Sequence, residues 1–465
     1  MLKTLLTVWN TLRLALKGGE ANILEGSMDR AIILLAIPMM LEMLMESLFA
    51  VVDIFFVSKL GVNAIAVVGL TESMLTIVYS LGWGLAMGTT AMVARRVGEN
   101  DIGGAAVAGV QSLYLAFMVA IPLSLPGIIY AEDLLRLMGA GEAVISEGAV
   151  YTKVALGGNI VIILLFLING IFRGAGDAAL AMRSLWIANG LNIILDPMFI
   201  FGFGPIPAMG ITGAAVATLI GRSTGILYQL YHLFKSNGII KIHKENWMIK
   251  GDIITKLIRL SAGVTGQFII GSASWIFMIR IISRFGSTAL AGYTIAIRVV
   301  IFTILPAWGI SNAAATMVGQ NLGAAQPERA EKSVWRTGLY NMGFMGTLMI
   351  IFLLFAKSIV SFFTNEPEVV EFASNCLNIL ALGYLFFAFG MVIMQAFNGA
   401  GDTKTPTILN FFIFWIFQIP LAYLLAIVLN FESTGVFISI VSSESLYSVI
   451  GFFLFKRGKW KTVQV

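Results

Sequence analysis

The 465 residues predict an all-α integral membrane protein whose twelve transmembrane helices form two pseudo-symmetric six-helix lobes. Two observations lead there. The first is composition: 58% of residues are hydrophobic and 12% charged, with a mean hydropathy of +0.89. A soluble domain carries about 25% charged residues, so lipid is the solvent for most of this chain. The second is an internal repeat. Phe172-Arg-Gly-Ala-Gly-Asp177 recurs as Phe397-Asn-Gly-Ala-Gly-Asp402, a shift of 397 − 172 = 225 residues. The same shift pairs Gly61 with Gly286, Met92 with Met317, Gly98 with Gly323 and Gly210 with Gly435. One hexapeptide match carries little weight, but five anchors in register mean a duplicated unit. Duplicated membrane halves place between them a central site that can face either side in turn.

Apolar stretches of about 20 residues fit bilayer-spanning helices. Twelve occur, near 30–58, 64–94, 105–129, 148–172, 179–203, 208–234, 254–284, 289–318, 333–357, 373–397, 406–429 and 434–456. The duplication gives an N-terminal segment at 1–27, a first lobe at 28–234, a connecting segment at 235–253 and a second lobe at 254–465 with a basic tail. Within the first segment, Leu2, Leu5, Leu6, Trp9 and Leu16 share one helical face, as in a helix lying on the membrane surface. A frayed terminus is the alternative. Lys and Arg crowd one set of loops and ends, including Lys3, Arg95, Arg96, Arg173, Arg183 and Lys456, while the other set offers little beyond Lys59, Arg136, Arg284 and Lys357. That bias predicts cytoplasmic termini. The net charge of +5 is this topology signal; no basic stripe with interleaved aromatics points to nucleic acid.

Enzymatic readings find little support. Every loop but 235–253 is short, and neither a G-x-x-x-x-G-K-[ST] phosphate loop nor a Ser/His/Asp, Cys/His or HExxH arrangement occurs. Cys376 stands alone, so no internal disulfide or cysteine-rich metal site can form. His232 and His243 fall at the end of span six and in the connecting segment, where solvation is the simpler role. No metal or organic cofactor is expected. Transport driven by an ion gradient is the simplest remaining class. Gly84/Gly88 and Gly170/Gly174 have the small-xxx-small spacing of close helix packing.

The acids then become informative. At about 100° per residue, Glu42, Glu46 and Asp53 project from one face of span one, along roughly 16 Å of helix. Lipid cannot be the environment of that face, since a charge there costs about 2.5–3.5 kcal/mol even on insertion scales. Asn192 and Asp196 form an i, i+4 pair on span five, with Asp196 directly before Pro197. Asp53 and Asp196 lie at matched depth with an amide beside them, a candidate proton-binding pair. Ion pairing in the lobe interior is the alternative for the acids, with Arg222 the main cation available, and a helix-end cap is the alternative for Asp196. In the second lobe the shift carries Glu42 to Gln267, Glu46 to Gly271 and Asp53 to Met278, while Asn192 and Asp196 fall on Trp415 or Phe417 and Ile419 or Leu421. Glu444 in span twelve is the exception to an otherwise acid-free set of second-lobe spans. Gln267, Arg280, Tyr293 and Arg298 are left as either a binding surface or internal bracing.

The chain resembles the multidrug and toxic compound extrusion (MATE) family. The resemblance rests on ValAspIlePhePheVal (52–57) with LysLeuGly (59–61), both Phe-Arg/Asn-Gly-Ala-Gly-Asp copies, AsnIleIleLeuAspPro (192–197), GlyIleThrGlyAlaAlaValAlaThr (210–218) and ValGlyGlnAsnLeuGlyAla (318–324). It covers residues 28–456 and looks most like the DinF-like branch. It implies a V-shaped central cavity and export of amphipathic organic cations in exchange for H⁺ or Na⁺. It also implies that Asp53, Asn192, Asp196 and Thr218 line the first-lobe cavity, and that Pro38 acts as a hinge. A span-four Asn is implied too; motif spacing indicates Asn169, while Asn159 lies at the better depth. The acids that Na⁺-type members place in spans seven and ten have no counterpart here. Glu42 and Glu46 join the candidate cavity residues without an assigned role.

The resulting expectation is a proton-coupled multidrug antiporter with Asp53 and Asp196 as the proton pair. It would sit in a prokaryotic cell (inner) membrane, and its complete pair of lobes permits a monomer. Na⁺-coupled export of the same compounds and a lipid-linked oligosaccharide flippase are the alternatives, the latter disfavoured by an acidic first lobe. A channel is disfavoured because unequal spans give no symmetric pore.

Overall fold

A computed structural model describes residues 2–18, 23–235 and 238–465, with side chains described from residue 10 onward. The described chain is helical almost throughout. An N-terminal helix, Leu2–Lys17, precedes the spans, and the side chains of Leu2, Leu5, Leu6 and Trp9 lie outside the described residues. The first lobe holds span one (Met28–Ser58), two (Val62–Gly98), three (Ile102–Ile129), four (Glu142–Gly157 with Asn159–Ala175), five (Ala178–Phe201) and six (Ile211–Lys235). The second holds span seven (Gly251–Ile282), eight (Ser287–Gly323), nine (Pro327–Ser361), ten (Pro367–Leu382 with Tyr384–Ala400), eleven (Lys404–Val428, partly π-helical) and twelve (Glu432–Lys456).

Several helices run well beyond the apolar stretches that announced them. Spans two and eight have 37 residues each, about 55 Å of helix against a hydrocarbon core of about 30 Å. Span six carries Arg222 and Gln229 within its apolar run, and both turn inward and are buried. Spans four and ten are broken, at Gly158 and Gly383, the second pair bent by 56°. Those glycines are themselves one repeat apart.

The repeat is visible in backbone geometry. Left-handed residues recur at the same shift: Gly61 (φ 111°) with Gly286 (φ 96°), Asn100 (φ 59°) with Ala325 (φ 57°), and Gly176 (φ 93°) with Gly401 (φ 89°). The duplicated hexapeptide is therefore a helix stop followed by a helix start. Gly176 and Gly401 end spans four and ten in the left-handed conformation that glycine adopts without strain. Asp177 then accepts from the Leu180 N–H (3.1 Å), and Asp402 from the Thr405 N–H (3.1 Å), to begin the next span.

The lobes meet along a pseudo-two-fold seam at the end that carries both termini. A Cβ on Gly98 would lie 2.0 Å from the Gln320 carbonyl, and one on its repeat mate Gly323 would lie 2.2 Å from the carbonyl of Arg95, the mate of residue 320. Gly84 meets Thr265 in the same way that Gly309 meets Met39 and Met40. Such reciprocal contacts are the signature of a two-fold interface. Arg95 adds bonds from its Nη2 to the carbonyls of Ala400 (3.3 Å) and Val463 (2.8 Å), tying the C-terminal tail across the seam. Arg95 and Arg173, expected among loop cations, are instead buried, because their helices continue past the expected ends. Away from the seam, Glu72, Ser73 and Ile77 of span two and Arg298, Ile301 and Phe302 of span eight are exposed.

Candidate functional site

Among the described residues, three polar assemblies are built around the acids of the first lobe. The deepest joins spans one, four, five and six. Glu42 has no exposed surface; it faces the Arg173 guanidinium at 3.6 Å and accepts from Asn169 Nδ2 at 3.0 Å. Asn169 Oδ1 in turn accepts from Ser184 Oγ (3.0 Å) and Gln229 Nε2 (2.6 Å). In this arrangement Glu42 and Asn169 are partners in one network and reach no cavity wall, with Glu42 Oε2 left without a hydrogen-bond donor among the described residues; Arg173 does reach a wall. Asn159 accepts from Ser124 Oγ (3.1 Å) at the break in span four, well apart from that network in sequence.

One turn along span one, Glu46 accepts from Arg222 Nη2 (2.9 Å) and Asn189 Nδ2 (2.9 Å). Arg222 is buried over the rings of Phe49 (5.3 Å), Phe166 (5.7 Å) and Tyr79 (5.9 Å). A guanidinium in that setting needs both its carboxylate and the ring faces to offset lost hydration. The two glutamates that share a face with Asp53 are thus ion-paired, by Arg173 and Arg222.

The third assembly brings the sequence candidates together. Asn192 Nδ2 donates to Asp196 Oδ1 and to Thr218 Oγ1, each at 3.1 Å. Asp196 Oδ2 and Asn192 Oδ1 are buried without a partner among the described residues. Asp53, 8% exposed, lies close enough to Asp196, Arg222 and Glu72 to interact electrostatically. Asp53, Thr218, Arg222, Tyr79 and Tyr151 line a pocket of about 60 Å³ at the span-four break, Gly158. That space suits water and protons rather than a drug-sized molecule. Glu72 lines the same pocket and interacts with Arg298 of the other lobe. Sequence reasoning missed it, although it is the sole acid in the apolar run of span two. Pro38 sits buried in a span one that stays continuous, directly before the stretch that packs on Gly309.

Between the lobes lies a larger cavity of about 270 Å³. Its first-lobe wall includes Met43, Trp83, Phe166 and Arg173, and its second-lobe wall Gln267, Phe268, Trp308, Asn410, Glu444 and Tyr447. Trp83, Phe268 and Trp308 touch one another across the lobe boundary, with centroids 5.1, 5.7 and 6.4 Å apart. Gln267 and Asn398 exchange two amide hydrogen bonds, of 2.9 and 3.1 Å. Of the second-lobe residues left open, Gln267 is thus a cavity wall, Tyr293 is buried stacked on Phe437, and Arg280 and Arg298 are exposed.

Comparison with known proteins agrees with this architecture. The MatE family profile matches twice, over residues 38–198 and 264–424, once in each lobe. The chain is 28% identical over 447 residues to the probable multidrug resistance protein YoeA of Bacillus subtilis, covering 94% of this chain and 96% of that one. It is 27% identical over 437 residues to the probable multidrug resistance protein NorM of Thermotoga maritima, covering 93% of each. A solved structure described as the outward-facing conformation of a multidrug resistance MATE family transporter superposes with a TM-score of 0.89 at 28% identity, covering 94% of this chain and 98% of that chain. A duplicated six-helix lobe, a central cavity and a profile matched once per lobe have one explanation: the chain belongs to the MatE family of membrane transporters and is not an enzyme.

Proposed function

We propose that this transporter exports amphipathic organic cations in exchange for protons, by alternating access, with Asp53 and Asp196 as the proton-binding pair. The observation that carries the reading is the Asp53–Asn192–Asp196–Thr218 assembly. Among the described residues it holds two acids without a dedicated cation of their own, and a buried Asp196 Oδ2 without a donor. Glu42 and Glu46 each have an arginine and so are poor candidates for reversible protonation. The names of the relatives, multidrug resistance proteins, support the substrate class.

With cytoplasmic termini, the sealed seam is the inner gate and the cavity faces outward. Asp53 and Asp196 are ionised while a cation occupies the protein. Protons arriving from outside neutralise both, and the change of charge in the first lobe favours the state that releases the cation. Proton loss to the cytoplasm follows once the lobes have rocked and Pro38 has let span one bend. The working unit is one chain in a prokaryotic cell membrane, and no cofactor beyond the coupling ion is required. Proton movement tests this directly: adding an organic cation to proteoliposomes that enclose a pH dye should produce a coupled pH change. A change that appears only with a Na⁺ gradient would replace the proton with sodium.

A further inference from the structure

The 60 Å³ pocket that holds Asp53 is too small for an organic cation, while the cavity between the lobes is several times larger. The acid on the wall of that larger cavity belongs to the other lobe. Glu444 of span twelve is the only carboxylate among the described residues lining it. Arg173 also reaches the wall, but Glu42 stands behind it as counter-ion. Glu444 has no such partner: among the described residues its carboxylate has neither a hydrogen-bond donor nor a cation. A carboxylate left without a partner on the wall of a cavity inside a membrane protein is costly, so it marks a site where a charge arrives from outside.

The surroundings define that charge. Among the described residues Asn410 Oδ1 and Tyr447 Oη are buried without partners, and both residues line the same cavity as Glu444. Tyr447 is fixed by stacking on Phe414, with centroids 6.1 Å apart and rings 2° from parallel. The cavity wall there offers a carboxylate and an amide oxygen as acceptors and a phenol that can donate or accept. Beyond it stand Trp83, Phe268 and Trp308, whose ring faces favour a flat aromatic cation.

We infer that Glu444 is the anchor for the charged end of the transported compound. The preferred ligands are planar aromatic cations bearing N–H donors, small enough for a cavity of about 270 Å³. Substrate charge is then held by the second lobe while the proton pair sits in the first. Coupling passes between the two through lobe movement rather than through competition for one carboxylate. This inference rests on the organic-cation reading above and extends it to a residue and a ligand class.

Proflavine, a planar fluorescent cation with N–H donors, is the probe. Its binding to the purified full-length protein is measured by fluorescence polarisation for wild type, Glu444→Gln and Glu444→Asp. Chromatographic monodispersity and unchanged melting confirm folding of each. The expected result is a loss of about 10- to 100-fold in affinity for Glu444→Gln, as for loss of a charge-assisted hydrogen bond. Glu444→Asp, which keeps the charge, should recover most of it. Equal affinity of Glu444→Gln and wild type would overturn the inference alone. Equal losses in both variants would reduce Glu444 to a packing role and overturn it as well. No proflavine binding by wild type would overturn the organic-cation reading, and the inference with it.

Discussion

Where the first lobe buries Glu42 against Arg173, the second sets Gln267 against Asn398, each 225 residues further along. The backbone around the two pairs is alike. Gly174 packs on the Thr90 carbonyl and its mate Gly399 on the Ala315 carbonyl, and Gly176 and Gly401 end their helices in the same left-handed turn. Charge differs instead: a carboxylate–guanidinium pair in one lobe becomes a reciprocal amide pair in the other, and Asp53 becomes the buried Met278. Duplication thus preserved what packing demands and released what chemistry could vary. A membrane protein with a symmetric seam can then concentrate its buried acids in one lobe, with Glu444 the exception among the second-lobe spans.

The largest expected effect tests that asymmetry. Arg173→Met leaves Glu42 buried and unpaired, a loss of about 3–5 kcal/mol. Asn398→Leu at the equivalent place removes hydrogen bonds between neutral groups and should cost about 1–3 kcal/mol. Thermal unfolding in detergent should rank them in that order. Equal shifts would mean the Glu42–Arg173 pair is no more than another polar contact. Installing the second lobe's chemistry in the first, as Glu42→Gln with Arg173→Asn, should recover most of the stability lost in Arg173→Met.

Next in size is the shared packing. A Cβ on Gly174 would lie 2.8 Å from the Thr90 carbonyl, and one on Gly399 would lie 2.3 Å from the Ala315 carbonyl. Alanine at either should cost about 1–3 kcal/mol, so the two melting shifts should be similar. A loss confined to one lobe would break the claim that backbone packing is what the repeat conserved. The smallest effect belongs to the tail, which folds back with Trp460 buried on Phe455 and Lys461 paired with Glu331 of span nine. That ion pair is partly solvated, and Lys461→Ala should cost no more than about 1 kcal/mol.

Much of this was legible beforehand. Hydropathy and the repeat announced the lobes because lipid forbids polar stretches and the duplication kept its glycines. The helical face of span one and the i, i+4 spacing of Asn192 and Asp196 announced the acid assembly, and the family resemblance added Thr218. What escaped depended on contacts between helices. Arg173 looked like a loop cation because it stands three residues before a turn, yet span four stays helical through Ala175. The breaks at Gly158 and Gly383 lie in unbroken apolar runs rich in other glycines. Glu72 and Glu444 are single acids whose neighbours come from distant spans, so no local pattern could rank them.

The central claim concerns Asp53 and Asp196, and efflux of a fluorescent organic cation from proteoliposomes under an imposed pH gradient tests it most directly. Wild type should export the cation, and Asp53→Asn and Asp196→Asn, shown to be folded, should each lose gradient-driven export. Export that survives undiminished in both variants would contradict the account and remove the proton pair from the first lobe.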